Sequence, residues 1–319
     1  MAEPTIKPDV LPVPASTPIV SFSPVMFDVP GRIATLEMRV VAPAKGDKLP
    51  VILFSHGHGA SNFIASMRGY GPLVDFYAAH GFVVIIPTHQ SSKTLSLDPN
   101  GPEGALFWRS RATDMHFILD HLDEIEAAVP GLAGRIDNSR IAAVGHSLGG
   151  HTVAMLAGMR VKDSKTSEDV DLSEPRITSA IMFSPPGDGA DAAPAIAERF
   201  PELVSNDFSH MTMPSLVITG DQDINPDFSE RPDWRADAYR LSPGPKSLLF
   251  LYGAGHIFGG ISGYDAKETT DESPERVAAV QRITWAYLRA TLFTGDDAWN
   301  IIARELETVE HPAGRLESK

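Results

Sequence analysis

The chain has 319 residues, 43% hydrophobic and 21% charged, a length and balance that suit one large water-soluble core. Its formal net charge of -14 argues against nucleic acid and a charge-held anionic membrane surface as partners. The absence of cysteine excludes disulfides, thiolate nucleophiles and cysteine-ligated metals.

Prolines at 4, 8, 12, 14 and 18 mark residues 1–18 as a flexible tail, leaving 19–319 as a single domain. The start of the chain has neither a basic segment nor an apolar stretch of the signal-peptide kind, and no apolar run could span a bilayer. A cytoplasmic location is therefore expected. A first strand is read over Arg32 to Val41. Pro50 to Phe54 is a short buried strand ending at Ser55-His56-Gly57. Tyr70 to His80 can form a helix, and Phe82 to Ile86 is another buried strand, stopped by Pro87. Apolar residues at Phe107, Ile118, Leu119, Leu122 and Ile125 predict one helix over 107–129. Arg140 to Val144 reads as a strand and Gly150 to Ala157 as the helix after it. Further strands are read at Ser179 to Phe183, Ser215 to Thr219 and Ser247 to Tyr252, with a closing helix over 274–293.

Short continuous apolar strands alternating with helices predict an α/β fold with a mostly parallel central sheet covered by helices on both faces. Two stretches fit neither strand nor long helix, near 88–104 and 185–213. Both follow strand ends, where such sheets build their sites, so both are read as substrate-facing insertions.

The decisive motif is Gly145-His146-Ser147-Leu148-Gly149, of the form Gly-x-Ser-x-Gly, set between a strand and a helix. A strand that turns sharply into a helix puts Ser147 at the apex, and side chains two positions either side would collide with the crossing elements. A serine hydroxyl needs a base, and the base needs an acid. His256, past the end of its strand and flanked by Gly253, Gly255, Gly259 and Gly260, is the expected base, on a mobile and uncrowded loop. Asp221 and Asp223 follow the preceding strand, and spacing alone leaves both open as the acid. Oxyanion donors are expected from the backbone N–H groups of Leu148 and His58. His56-Gly57-His58 lacks a third ligand in register, so no metal and no cofactor are expected.

With these residues assembled, the chain looks like an α/β-hydrolase. It resembles the group of bacterial dienelactone-hydrolase-like proteins, chlorophyllases and platelet-activating-factor acetylhydrolases. The resemblance rests on Phe54-Ser55-His56-Gly57, Arg111-x-x-Asp114, Gly145 to Gly150, Thr219-Gly220-Asp221-Gln222-Asp223 and Gly255-His256. It implies a triad of Ser147, Asp223 and His256, and a serine esterase acting on a small-molecule ester through an acyl-enzyme. Asp188 is a further candidate acid, since some related enzymes draw the acid from that strand. True dienelactone hydrolases use a cysteine, which is lacking here. Arg111 and Asp114 are read as a structural pair along a helix, and Phe107, Trp108, Phe200 and Phe208 as candidate pocket walls. The same scaffold also carries non-hydrolytic chemistry (lyase, cyclase or acyltransferase on a natural product) and ligand-binding receptors. Oligomeric state has no signature in the sequence.

Overall fold

A computed structural model describes residues 13–308 and 312–319. Residues 1–12 of the expected tail, and His311, lie outside the described residues. Of the rest of that segment, Val13 packs on the core, and the backbone N and hydroxyl of Thr17 both donate to the Ala79 carbonyl at 2.9 and 3.0 Å.

Among the described residues, nine strands form the central sheet: β1 (Ile19–Phe27), β2 (Leu36–Pro43), β3 (Leu49–Ser55), β4 (Val83–Pro87), β5 (Ile136–His146), β6 (Ile177–Phe183), β7 (Ser215–Gly220), β8 (Lys246–Leu251) and β9 (Gly314–Ser318). Their order is β1-β2-β4-β3-β5-β6-β7-β8-β9. The six strands from β4 to β8 in that order run parallel, while β1, β2 and β9 pair antiparallel at the margins. The continuous apolar runs have a direct explanation. In β3, Ile52 and Phe54 enter one cluster while Val51 and Leu53 enter the other, and β4 and β5 alternate likewise. Helices α1 (Gly71–Ala79) and α5 (Pro274–Leu292) cover the first face through Leu73, Tyr77, Val280 and Ile283. Helices α2 (Trp108–Asp120), α3 (Leu122–Ala128) and α4 (Leu148–Leu156) cover the second through Met115, Ile118, Ile125 and Val153.

The helix expected over 107–129 is two. His121 leaves helical geometry (φ -116°, ψ 23°), and its Nδ1 bonds back to the Phe117 carbonyl at 2.9 Å. Strand β1, helix α6 (Ala298–Thr308) and β9 lack strong sequence signals. In β1, Pro24 falls where the register shifts between Phe22 and Val25, which an edge strand tolerates. A small second sheet joins Arg160–Lys162 to Asp169–Val170 and Asn206–Asp207, tying the 185–213 insertion to the segment after α4. Because β3 and β5 to β8 run parallel, the segments that follow them, carrying His58, Ser147, Ser184, Asp223 and His256, gather at one edge of the sheet.

Candidate active site

Ser147 sits between β5 and α4 with φ 56° and ψ -118°, a conformation that a non-glycine residue holds only under constraint. The flanking glycines are sterically required. A Cβ on Gly145 would lie 2.2 Å from the Gly149 carbonyl oxygen, and one on Gly149 would lie 1.9 Å from that of Ser55. The second contact also shows how closely the turn abuts the segment after β3. Leu148 opens α4, so its backbone N–H has no acceptor within the helix. That N–H and the His58 loop thus flank the same serine.

His256 Nδ1 meets both carboxylate oxygens of Asp223, at 2.9 and 3.1 Å, which leaves Nε2 free to face a substrate. Asp223 is buried and also takes Arg235 Nε at 3.0 Å and the Ser184 hydroxyl. Burial alone would raise its pKa, but the His256 and Arg235 charges outweigh that and hold it well below the usual carboxylate range. Among the described residues, neither of the other candidate acids bonds His256. Asp221 accepts from the Gly253 N–H at 2.7 Å, while the backbone of Asp188 bonds the Asp237 carboxylate at 2.9 Å and the Trp234 indole at 2.7 Å. Among the described residues, no hydrogen bond links the Ser147 hydroxyl to the His256 ring. The two are coupled through the residue before the serine: His146 Nε2 donates to the His256 carbonyl at 2.8 Å, and the two rings lie 4.8 Å apart.

The loop of His256, expected to be mobile, is pinned. The Asp271 carboxylate accepts from the N–H groups of Gly255 (2.8 Å) and Gly259 (3.2 Å), and it is held in turn by Arg276 at 3.1 Å. Glycine is needed at 253, 259 and 260 because φ is positive there (65°, 82° and 119°).

Behind the His58 loop lies a buried polar network. The Gly57 N–H donates to Tyr70 Oη at 2.9 Å, and Tyr70 Oη donates to His146 Nδ1 at 2.8 Å. With His146 Nε2 on the His256 carbonyl, one chain of hydrogen bonds joins the two loops on either side of the serine. Burial keeps His146 neutral, with its pKa well below the ordinary value. Arg111, fully buried, donates to Thr152 Oγ1 (2.9 Å), Ser91 Oγ (2.6 Å), Ser55 Oγ (3.1 Å) and the His56 carbonyl. Among the described residues, Arg111 and Asp114 do not form the direct hydrogen bond or ion pair expected along the helix, although their charges interact. Asp114 turns instead to Arg32 (2.9 Å) and His89 (2.8 Å), because the buried arginine has the loop carbonyl and three hydroxyls within reach. Both nitrogens of His56 are used, on the Gly57 carbonyl (2.7 Å) and the His89 N–H (3.0 Å). Among the described residues no set of three or more His, Asp or Glu side chains forms a metal-ligand cluster.

A cavity of about 350 Å³ opens beside His58, lined by Gln90 to Pro99 on one side and Arg199 and Phe200 on the other, with Phe107 between. Both insertions therefore reach it. Trp108 and Phe208 do not: they are buried in the core cluster under the sheet, 4% and 2% exposed. A larger cavity, about 550 Å³, lies near the starts of β6 and β7 (Ile177, Thr178, Pro214), at the opposite end of the strands from Ser147. No helix of the described residues is long and apolar enough to cross a membrane.

Residues 52–315 match the family described as "Alpha/beta hydrolase family". The chain is also similar to the platelet-activating factor acetylhydrolase of Cavia porcellus, 28% identical over 142 residues, which cover 34% of this chain and 31% of that protein. The match thus spans under a third of that relative's length.

Proposed function

Since the chain belongs to the α/β-hydrolase family, we propose that it is a serine esterase working through an acyl-enzyme. Ser147 Oγ attacks the ester carbonyl while His256 Nε2 takes its proton. The tetrahedral oxyanion is held by the N–H groups of Leu148 and His58, and the imidazolium formed on His256 is stabilised by Asp223. Collapse expels the alcohol with the proton from His256, and water then repeats the sequence to free the acid. The observation that carries this reading is the two-oxygen contact of Asp223 with His256 Nδ1 beside a strained serine turn. It leaves the ring in the tautomer a base requires. The serine–histidine bond is often long in a resting site and tightens around substrate.

The relative's name includes acetylhydrolase, and the cavity volume suits a small substrate. A short acyl group is therefore the expected preference. A panel of aryl esters from acetyl to long-chain acyl, assayed with the native protein and Ser147→Ala, tests this. Turnover that falls with chain length and vanishes in the variant is expected. Hydrolysis that survives in Ser147→Ala contradicts it.

A further inference from the structure

We propose that the cavity beside His58 is a subsite for an anionic group, a carboxylate or phosphate carried by the ester substrate. This rests on the esterase reading and names its substrate class. Acidic residues outnumber basic ones 41 to 27 in the chain, yet the residues lining this cavity include Lys93 and Arg199 and no carboxylate. The two cations come from the two insertions: Lys93 from the turn Lys93–Leu95 and Arg199 from the end of the helix Pro194–Arg199. Among the described residues neither side chain makes an ion pair or hydrogen bond, and Arg199 rests over the Phe200 ring at 4.9 Å. Both are free to take a ligand.

A third positive charge lies beneath. The four hydrogen bonds of Arg111 go to neutral oxygens, its charge offset in part by Asp114, and one of these oxygens, Ser91 Oγ at 2.6 Å, belongs to a residue lining the cavity. The ring of His58 senses all three charges. Its pKa is pushed down to about 4, first by burial and then by Arg111, Lys93 and Arg199. An anion entering here meets the Arg199 guanidinium and the Lys93 ammonium, with the buried Arg111 charge behind Ser91, while Phe107, Leu97 and Phe200 offer apolar contact to the chain that carries it.

The test compares matched esters: 4-nitrophenyl hydrogen adipate against its methyl ester, and 2-acetoxyethyl phosphate against 2-methoxyethyl acetate. In the native protein kcat/KM is expected to favour the charged member by about tenfold, with the ratio falling to near unity in Lys93→Gln/Arg199→Gln and narrowing at high salt. A preference confined to one pair supports the subsite and places its anion, a carboxylate on the acyl side for the adipate or a phosphate on the alcohol side for the acetoxyethyl ester. Turnover of the neutral esters with no charge preference, or a preference unchanged by the double substitution, overturns the subsite and leaves the esterase standing. Calorimetric titration of Ser147→Ala with monomethyl adipate reads the subsite even if no ester is cleaved. A loss of about tenfold in affinity on adding the two substitutions is expected, and no binding, or equal binding, overturns the proposal.

Discussion

Replacing Asp223 by asparagine separates what its carboxylate does for His256 from what it does for the fold. In the native site one carboxylate serves His256 Nδ1 at 2.9 Å, Arg235 Nε at 3.0 Å and the Ser184 hydroxyl. An asparagine that keeps its oxygen toward Arg235 presents its amide donor to His256, so the ring proton moves to Nε2 and the base is lost. The same change elsewhere lowers turnover on the order of 10⁴-fold, and a similar loss is expected here. The stability cost has a different origin. Arg235 and Asp223 side chains are 7% and 2% exposed, and neutralising one leaves a buried guanidinium unbalanced, at about 3 kcal/mol. Adding Arg235→Met removes that orphaned charge, so the double variant should recover most of the lost stability and none of the activity. Urea unfolding followed by tryptophan fluorescence, with kcat/KM on an aryl acetate, reads both quantities. Native-like activity in Asp223→Asn, or activity restored by Arg235→Met, would refute the reasoning.

Tyr70→Phe removes the hydroxyl between Gly57 and His146, leaving a buried donor and a buried acceptor unpaired. At about 1–2 kcal/mol each it should cost about 2–4 kcal/mol of stability, and kcat should fall about tenfold with KM little changed; steady-state kinetics with no change in kcat would exclude a role in placing the two loops. Acid should also destabilise the protein. Burial holds His56, His58, His89, His146 and His151 neutral, with folded-state pKa values below the ordinary 6.5. The unfolded chain therefore takes up protons first, and stability present above about pH 6.5 is lost below it at about 1.4 kcal/mol per pH unit for each histidine. Asp114, raised to about 6 by burial, acts in the opposite sense below that pH, so a net slope of about 6 kcal/mol per unit is the ceiling. Urea midpoints measured across this range should fall with pH, and a flat profile would contradict the assignment of neutral buried rings.

The chemistry of this chain is legible where it is local. Gly145 to Gly149 specifies a turn whose glycines face backbone at 2.2 and 1.9 Å, and the apolar strands announce themselves because each is buried on both faces. The margins of the sheet are poorly legible: β1 holds Pro24 and mostly exposed side chains, and β9 is short and polar, paired through its backbone to β8. Within the site, Asp221 and Asp223 are indistinguishable by spacing. The difference is that the Gly253 N–H captures one and Arg235 with Ser184 surrounds the other. Arg235, Tyr70 and Asp271 act across gaps of 12 to 76 residues and carry no local pattern. Glycines around His256 read as freedom in the sequence, whereas they satisfy positive φ in a loop stapled by Asp271.

The central claim, that the hydroxyl of residue 147 is the nucleophile, is met most directly by reaction with a fluorophosphonate followed by peptide mass spectrometry. A single adduct on the peptide bearing Ser147, absent in Ser147→Ala and strongly slowed in His256→Ala, is the predicted result. Modification at another serine, or equal labelling of the Ser147→Ala variant, would contradict it.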